Sequence, residues 1–372
     1  MMDFNAGALC ETEPATARAE PVEQADANNR LVNEEEVLED EDDIDTPVTF
    51  LHVEDLAAHG AHAGEISKLR KRGLTTVGLV ASASMRELIE VPGLSTERAD
   101  FLRKKAKLID GKSGVVFASG LDLVQSMKTK ITTGSAALDA LIGGGVETKT
   151  ITEVYGDSGT GKTQLCHALC VRTQFARDQG GAEGCALYID TDQTFRPDRI
   201  QQIAEAVGFD PQQILGNIVV IKATSFDHQC EIATAATRVL ADPPSGEFRL
   251  IIVDNIMTHL RAEYAGRGEL AARQQALNSH LRWLKQLADE FDCAVVVTNQ
   301  VSTVPEAFGM GGATVKPCGG PVLAHSAPMR IWLRKGRAQQ KKATLEHSAF
   351  MPKGDCLFSI VAAGIVDAIE GA

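Results

Sequence analysis

The sequence predicts an α/β protein, a mostly parallel sheet flanked by helices, with a small all-helical unit ahead of it. Three observations carry that expectation. Five short apolar runs, most ending in a polar or acidic residue, are separated by longer stretches with helical patterning. A glycine-rich segment directly after the first run has the form of a phosphate-binding loop. Before these, residues 52–109 are rich in alanine and leucine at helical spacing. A chain of 372 residues has room for both units.

The chain opens on an acidic tail. Residues 1–47 hold fifteen Asp/Glu against Arg18 and Arg30, with Phe4 as the lone aromatic. Such a segment cannot bury enough apolar surface to offset the entropy of ordering, so it is expected to be disordered. It also carries the whole formal net charge of −13, because residues 48–372 hold 35 acidic and 35 basic side chains. Global acidity therefore does not exclude a nucleic-acid partner for the body. No apolar run is long enough to span a membrane, and Met1-Met2-Asp3 does not begin like a secretory signal. Eight cysteines without a Cys-x-x-Cys pair read as reduced thiols. Cys166 and Cys170 flank His167 at helical spacing, which reads as a buried helix face before it reads as a metal site.

Residues 48–109 form the expected helical unit. A helix over 85–91 runs into Pro92-Gly93-Leu94, and Ser95 is placed to cap a second helix that continues through Lys107. This is the pattern of a helix-hairpin-helix, whose hairpin N–H groups contact a DNA phosphate. The second helix carries Arg98, Arg103, Lys104, Lys105 and Lys107. A DNA or partner contact is expected there, with plain packing as the alternative. Residues 110–130 read as a linker and 131–372 as the core. In the core, residues 151–155, 186–190, 217–221, 250–254 and 294–298 are the expected strands, with chemistry at their carboxyl ends.

Gly156-Asp157-Ser158-Gly159-Thr160-Gly161-Lys162-Thr163 fits G-x-x-x-x-G-K-[ST], between a strand and a helix expected over 164–175. The glycines let backbone N–H groups wrap phosphates, Lys162 neutralises their outer oxygens, and Thr163 offers its hydroxyl to Mg²⁺. Asp254, ending an apolar strand, is the carboxylate such a loop needs on Mg²⁺. Asp190 and Asp192 supply further carboxylates beside the phosphates, and Gln300 ends another strand in an amide able to sense the γ-phosphate. The expected ligand is ATP with Mg²⁺.

These residues, together with Ile131-Thr132-Thr133-Gly134, Gln164-Leu165, Thr194-Phe195-Arg196-Pro197, Gly266-Arg267-Gly268-Glu269-Leu270, Thr298-Asn299-Gln300, Gly319-Gly320 and Leu333-Arg334-Lys335-Gly336-Arg337, give the chain its likeness. It resembles the eukaryotic and archaeal strand-exchange recombinases of the RecA superfamily, from about His52 to the C-terminus. Gly143-Gly144-Gly145, Arg196-Pro197-Asp198-Arg199 and Asn255-Ile256-Met257 resemble the meiotic (Dmc-type) branch more than the mitotic (Rad-type) one.

The resemblance implies a RecA-like ATPase core behind a helix-hairpin-helix domain. It implies an ATPase that polymerises on single-stranded DNA, exchanges it with a homologous duplex, meets mediator proteins and acts in the nucleus. Arg261 and Arg267 would belong to a first DNA-binding loop. Val304, Phe308 and Lys316 would belong to a second, the glycine-rich stretch 301–320 without periodicity. Gln164 and Arg199 would flank the nucleotide, Arg199 against adenine, and His325 would couple nucleotide to the second loop. Val115, Phe117 and Ala118 stand where the family's linker adds a strand to a neighbouring protomer, with Phe117 expected as the anchor.

The chain also departs from the pattern. The family usually reads Gly-Glu-Phe-Arg-Thr-Gly-Lys-Thr at the phosphate loop, has Glu where Asp192 stands, and has Asp-Ser-Pro where His347-Ser348-Ala349 stand. These changes bear on turnover and filament stability, not on nucleotide binding. The alternative reading is a non-catalytic paralogue, an ATP-binding adaptor or mediator of a recombinase. A hexameric helicase on the same core is more distant.

Overall fold

The computed structural model describes residues 50–111, 119–121, 128–304, 314–337 and 340–369. The acidic tail, Val115, Phe117, Ala118 and Phe308 lie outside them.

The helical unit follows its caps. A 3₁₀ turn, Val53–His59, leads to α1 (Ala63–Lys71), α2 (Val77–Ser82), α3 (Met85–Ile89) and α4 (Thr96–Asp110). Thr76, Ser84 and Ser95 each accept a backbone N–H at the start of their helix, and the Glu87 carboxylate answers the Ser84 N–H. Gly93, at φ 72°, makes the turn between α3 and α4, and Lys68 Nζ donates to its carbonyl at 2.8 Å. Not every expected cation on α4 faces outward. Arg98 donates to both Glu65 oxygens at 2.7 Å and to the Gly60 carbonyl, holding the Glu65 carboxyl at about 2. Arg98 is therefore a clamp between α4 and α1.

In the core, β1 (Lys130–Ile131) pairs antiparallel with β2 (Val146–Glu147) around α5 (Ala136–Leu141). The chain continues as β3 (Thr150–Gly156), α6 (Lys162–Arg172), β4 (Cys185–Asp190), α7 (Pro197–Ala206), α8 (Pro211–Gly216), β5 (Ile218–Lys222) and α9 (Phe226–Ala241). Then come β6 (Phe248–Asp254), α10 (Thr258–Glu263), α11 (Leu270–Glu290) and β7 (Ala294–Asn299). A hairpin of β8 (Val301–Val304) and β9 (Thr314–Pro317) follows, then α12 (Gly320–Ser326), β10 (Met329–Lys335), β11 (Gln340–Ser348), β12 (Gly354–Val361) and β13 (Gly364–Asp367).

Nine strands form one sheet in the order β13-β12-β11-β10-β3-β7-β6-β4-β5. The five strands expected from the sequence are its parallel block, β3 to β5. Four of them are covered on both faces, so β3, β4, β6 and β7 are buried at every residue, and the buried Glu153 of β3 is paired with Arg330 and Asn299.

Three features differ from the sequence expectation. The sheet extends beyond β3 through β10, which is parallel to β3, and an antiparallel meander β11-β12-β13. β10 and the middle of β11 alternate buried with half-buried residues, and β12 and β13 are only partly buried, so no long apolar run marks them. The helix after the phosphate loop starts at Lys162, because Gly161 at φ 102° ends the loop there, and stops at Arg172. The stretch 301–320 is not structureless at its ends, where Val301 pairs with Pro317 and Val304 with Thr314.

The helical unit shares one apolar cluster with the core, running from Val53 and Leu102 to Leu281, Leu284 and Leu323. Phe50 packs edge-on against Phe291, Arg282 pairs with Glu87 at 3.0 Å, and Thr76 donates to Glu290. Cys166 and Cys170 are fully buried on α6.

Candidate functional site

The carboxyl ends of β3, β4, β6 and β7 open onto one cavity of ≈ 500 Å³. The loop after β3 forms its floor through close backbone approach. A Cβ on Gly156 would meet the Leu333 carbonyl oxygen at 2.3 Å, and one on Gly161 would meet Ile360 Cδ1 at 2.7 Å. Gly159 and Gly161 have positive φ. Thr160 faces away from the cavity and closes the loop through its hydroxyl on the Asp157 carbonyl at 2.9 Å. Asp157, Ser158, Gly159, Lys162, Thr163 and Gln164 line the cavity.

Lys162 Nζ donates to the Gly156 and Asp157 carbonyls, both at 2.9 Å. Burial lowers its pKa, with Asp254, Asp157 and Asp192 acting the other way. Across the cavity, Asp254 is buried and receives three hydroxyls. Thr163 and Tyr188 donate to Oδ2, each at 2.8 Å, and Thr298 donates to Oδ1. A hydroxyl and a carboxylate oxygen held together in this way are the hard donors that Mg²⁺ takes, and the glycine cradle with its ammonium suits a polyphosphate. The residues present therefore fit a Mg²⁺–nucleoside triphosphate.

Asp192 lines the same cavity. Desolvation raises its pKa, opposed by a hydrogen bond from Thr258 Oγ1 to Oδ1 at 2.7 Å. Asp190 does not join it. That carboxylate is buried and accepts the N–H groups of Thr194 and Phe195 at 3.0 and 3.1 Å, so it fastens the loop after β4. Arg199 stands behind the cavity wall. Its Nε donates to Gln164 Oε1 at 2.7 Å, and its Nη atoms reach the Val361 and Ala362 carbonyls in the β12–β13 turn. His325 is exposed on α12 and does not line the cavity.

Gln300 lines the cavity, and its Oε1 accepts from Arg261 Nη1 at 3.3 Å. The same Nη1 reaches Cys318 Sγ at 3.3 Å, one residue past β9. Gln300 thus lines the cavity, meets α10 through Arg261, and accepts the Cys318 N–H on its backbone carbonyl at 3.0 Å at the foot of the β8–β9 hairpin. Arg267 begins a 3₁₀ turn, Arg267–Glu269, which Glu269 closes by accepting the Gly266 N–H at 2.8 Å. Val304 ends β8, and Lys316 is exposed on β9 opposite Ser302.

Sequence reasoning missed Tyr188, Thr298 and Thr258. Each acts on a carboxylate 44 to 66 residues away, and no local spacing announces such a pair.

Residues 125–368 match the Rad51 family model. The meiotic recombination protein DMC1 of Saccharomyces cerevisiae is 42% identical over 330 residues, covering 88% of this chain and 98% of that protein. The meiotic recombination protein DLH1 of Candida albicans is 42% identical over 324 residues, covering 86% and 98%. The DNA repair protein RAD51 of Saccharomyces cerevisiae is 40% identical over 324 residues, covering 87% and 80%. The slight excess toward the meiotic proteins runs the same way as the branch-like residues in the sequence. With its phosphate loop, Asp254 and strand order continuous across that match, the chain belongs to the Rad51 family.

Proposed function

We propose that this protein is an ATP-dependent recombinase that assembles on single-stranded DNA and exchanges it with a homologous duplex. It serves meiotic recombination and double-strand break repair; its relatives are named for meiotic recombination and for DNA repair. The observation that carries this reading is the bridge from cavity to Arg261 through Gln300, since a recombinase must tell its DNA loops whether nucleotide is bound.

In this reading Lys162 meets the β- and γ-phosphates, with the loop glycines donating their N–H groups. Thr163 and Asp254 hold Mg²⁺, which when bound spreads the negative charge of the phosphates. Asp192 orients the attacking water and accepts toward it. Gln300 senses the γ-phosphate and passes its state to Arg261. Arg261, Arg267 and Lys316 meet DNA phosphates, while Val304 or Phe308 wedges between bases. Arg199 packs at the adenine end beside Gln164. A nuclear location and mediator partners follow from the same reading. The deciding assay is strand exchange with ATP and with a non-hydrolysable analogue. ATP-dependent joint molecules support the proposal, and their absence under both nucleotides overturns it.

Asp192 and the Asp157-Ser158-Gly159 loop favour one second reading, an ATP-binding adaptor that exchanges no strands. Electron microscopy with ATP and single-stranded DNA separates the two, because a recombinase gives helical filaments and an adaptor gives small complexes.

DNA affinity is expected to reside in the body. Arg267→Ala and Lys316→Ala each remove a proposed phosphate contact, and each is expected to lower the slope of log affinity against log salt by about one unit. Deleting residues 1–47 removes thirteen net negative charges and is expected to leave affinity equal or higher. Salt titrations monitored by fluorescence anisotropy check all three variants, and a large loss on deletion would refute the assignment.

Self-assembly is proposed to run through the linker. β5 is the outer strand of the sheet, and no strand covers its free side among the described residues. An extended segment of a neighbour can add there by β-augmentation. Val115 and Phe117 fall on one face of such a strand. Phe117→Glu is expected to leave protomers that bind ATP and sediment as monomers. If Val115→Glu blocks assembly while Phe117→Glu does not, the anchor is Val115.

A further inference from the structure

The polar groups at the far side of the cavity are gripped by one short helix. Thr258 and Arg261 lie three residues apart on α10, so their side chains leave from the same face. Thr258 donates to Asp192 Oδ1 at 2.7 Å, and Arg261 donates to Gln300 Oε1 at 3.3 Å. Asp192 and Gln300 both line the phosphate cavity. Among the described residues no second donor reaches the Asp192 carboxylate, so Thr258 alone fixes its orientation.

The helix is well seated for such a role. Leu260 is fully buried beneath it, and the Asn255 side chain accepts the Met257 N–H at 2.9 Å just before it starts. At its other end it runs into Tyr264, Gly266 and the turn that carries Arg267. Anything that pulls on that turn pulls on α10. A displacement of α10 by about an ångström must move Asp192 with it, or carry the 2.7 Å contact out of hydrogen-bond range.

We infer that Thr258 is a positioning residue, whose hydroxyl fastens Asp192 to α10 so that DNA held by the first loop sets the carboxylate against its water. The inference rests on the proposed ATPase reading and names the route by which DNA stimulates it. A shortened carboxylate makes such a tether matter. Asp192 has one fewer rotatable bond than a glutamate with which to find the water, so its placement depends on the backbone and on the one donor it has. The ordinary alternative is that Thr258 only opens the first turn of a helix, where any residue of its shape would serve.

The test uses the full chain with ATP and single-stranded DNA. Thr258→Val keeps the shape and removes the donor. It is expected to lower the DNA-stimulated kcat about tenfold, the effect of one hydrogen bond to a charged group, with KM for ATP and DNA affinity unchanged. Thr258→Ser is expected to restore kcat. In an Asp192→Asn background, Thr258→Val is expected to add nothing, because the two residues then act as one unit. A Thr258→Val protein with parental kcat overturns the inference. So does an equal further loss in the Asp192→Asn background, or a change confined to KM. A parent without any DNA-stimulated turnover overturns the ATPase reading itself, and the inference with it.

Discussion

Lys162→Ala is expected to abolish tight ATP binding and, with it, every ATP-dependent assembly on DNA. The ammonium sits in a partly desolvated cavity and already turns toward the loop that would cradle the phosphates, with two carbonyls at 2.9 Å. Three carboxylates, Asp254, Asp157 and Asp192, surround the same space. Without Lys162 a polyphosphate would enter a cavity whose remaining side-chain charges repel it. Removing one partner of a buried charge pair costs about 3–5 kcal/mol, or on the order of a hundred- to several-thousandfold in Kd. Lys162→Arg keeps the charge but spreads it over a planar fork that cannot occupy the same point, so binding is expected to persist while turnover slows. Calorimetric titration with ATP reads both variants. Lys162→Ala filaments that form only with ATP would remove Lys162 from the phosphate site.

Asp192 is expected to set a slow rate of hydrolysis. A general base has to lie within about 3 Å of the water it orients, and losing one methylene withdraws the carboxylate by more than about 1 Å. A misplacement on that scale costs on the order of a hundredfold. Asp192→Glu is therefore expected to raise DNA-stimulated ATPase activity, and Asp192→Asn to lower it further. Because desolvation raises the Asp192 pKa, its charged form is lost at a higher pH than an ordinary aspartate's, and the acid side of the rate profile should shift upward accordingly. Steady-state phosphate release measures each variant. An Asp192→Asn protein as fast as its parent would exclude the carboxylate from the chemistry.

How much of this was legible in the sequence depended on whether the signal was local. β3, β4, β6 and β7 were readable because a strand covered on both faces is mostly apolar without alternation, and the phosphate loop because its glycines are demanded by backbone geometry within eight residues. Ser95 could be read as a cap for the same reason. The meander from β10 to β13 was not readable, since its half-exposed strands alternate and resemble many other segments. Asp190 looked like a site carboxylate because it stands beside Asp192. Only the folded loop, with the Thr194 and Phe195 N–H groups turned onto it, shows that it is a structural acceptor. Thr258 and Tyr188 were invisible for a related reason. A lone hydroxyl has no pattern, and its meaning appears only when the sheet brings a distant carboxylate to it.

The two margins of the sheet are chemically unlike. One ends in β13, the last strand of a meander, and Asp367 in that strand accepts from Ser135 and the Ala137 N–H, tying the margin to α5. The other ends in β5, whose outer backbone groups have no strand beside them among the described residues. In the proposed linker assembly the donor segment of one protomer and the acceptor margin of the next are different surfaces, so the contact is heterologous unless two protomers exchange segments reciprocally. Each added protomer presents a fresh margin of the same kind. On that proposal growth would proceed with a fixed polarity, and the number of protomers would be limited by concentration and by the length of DNA available, unless the rotation per step closes a ring.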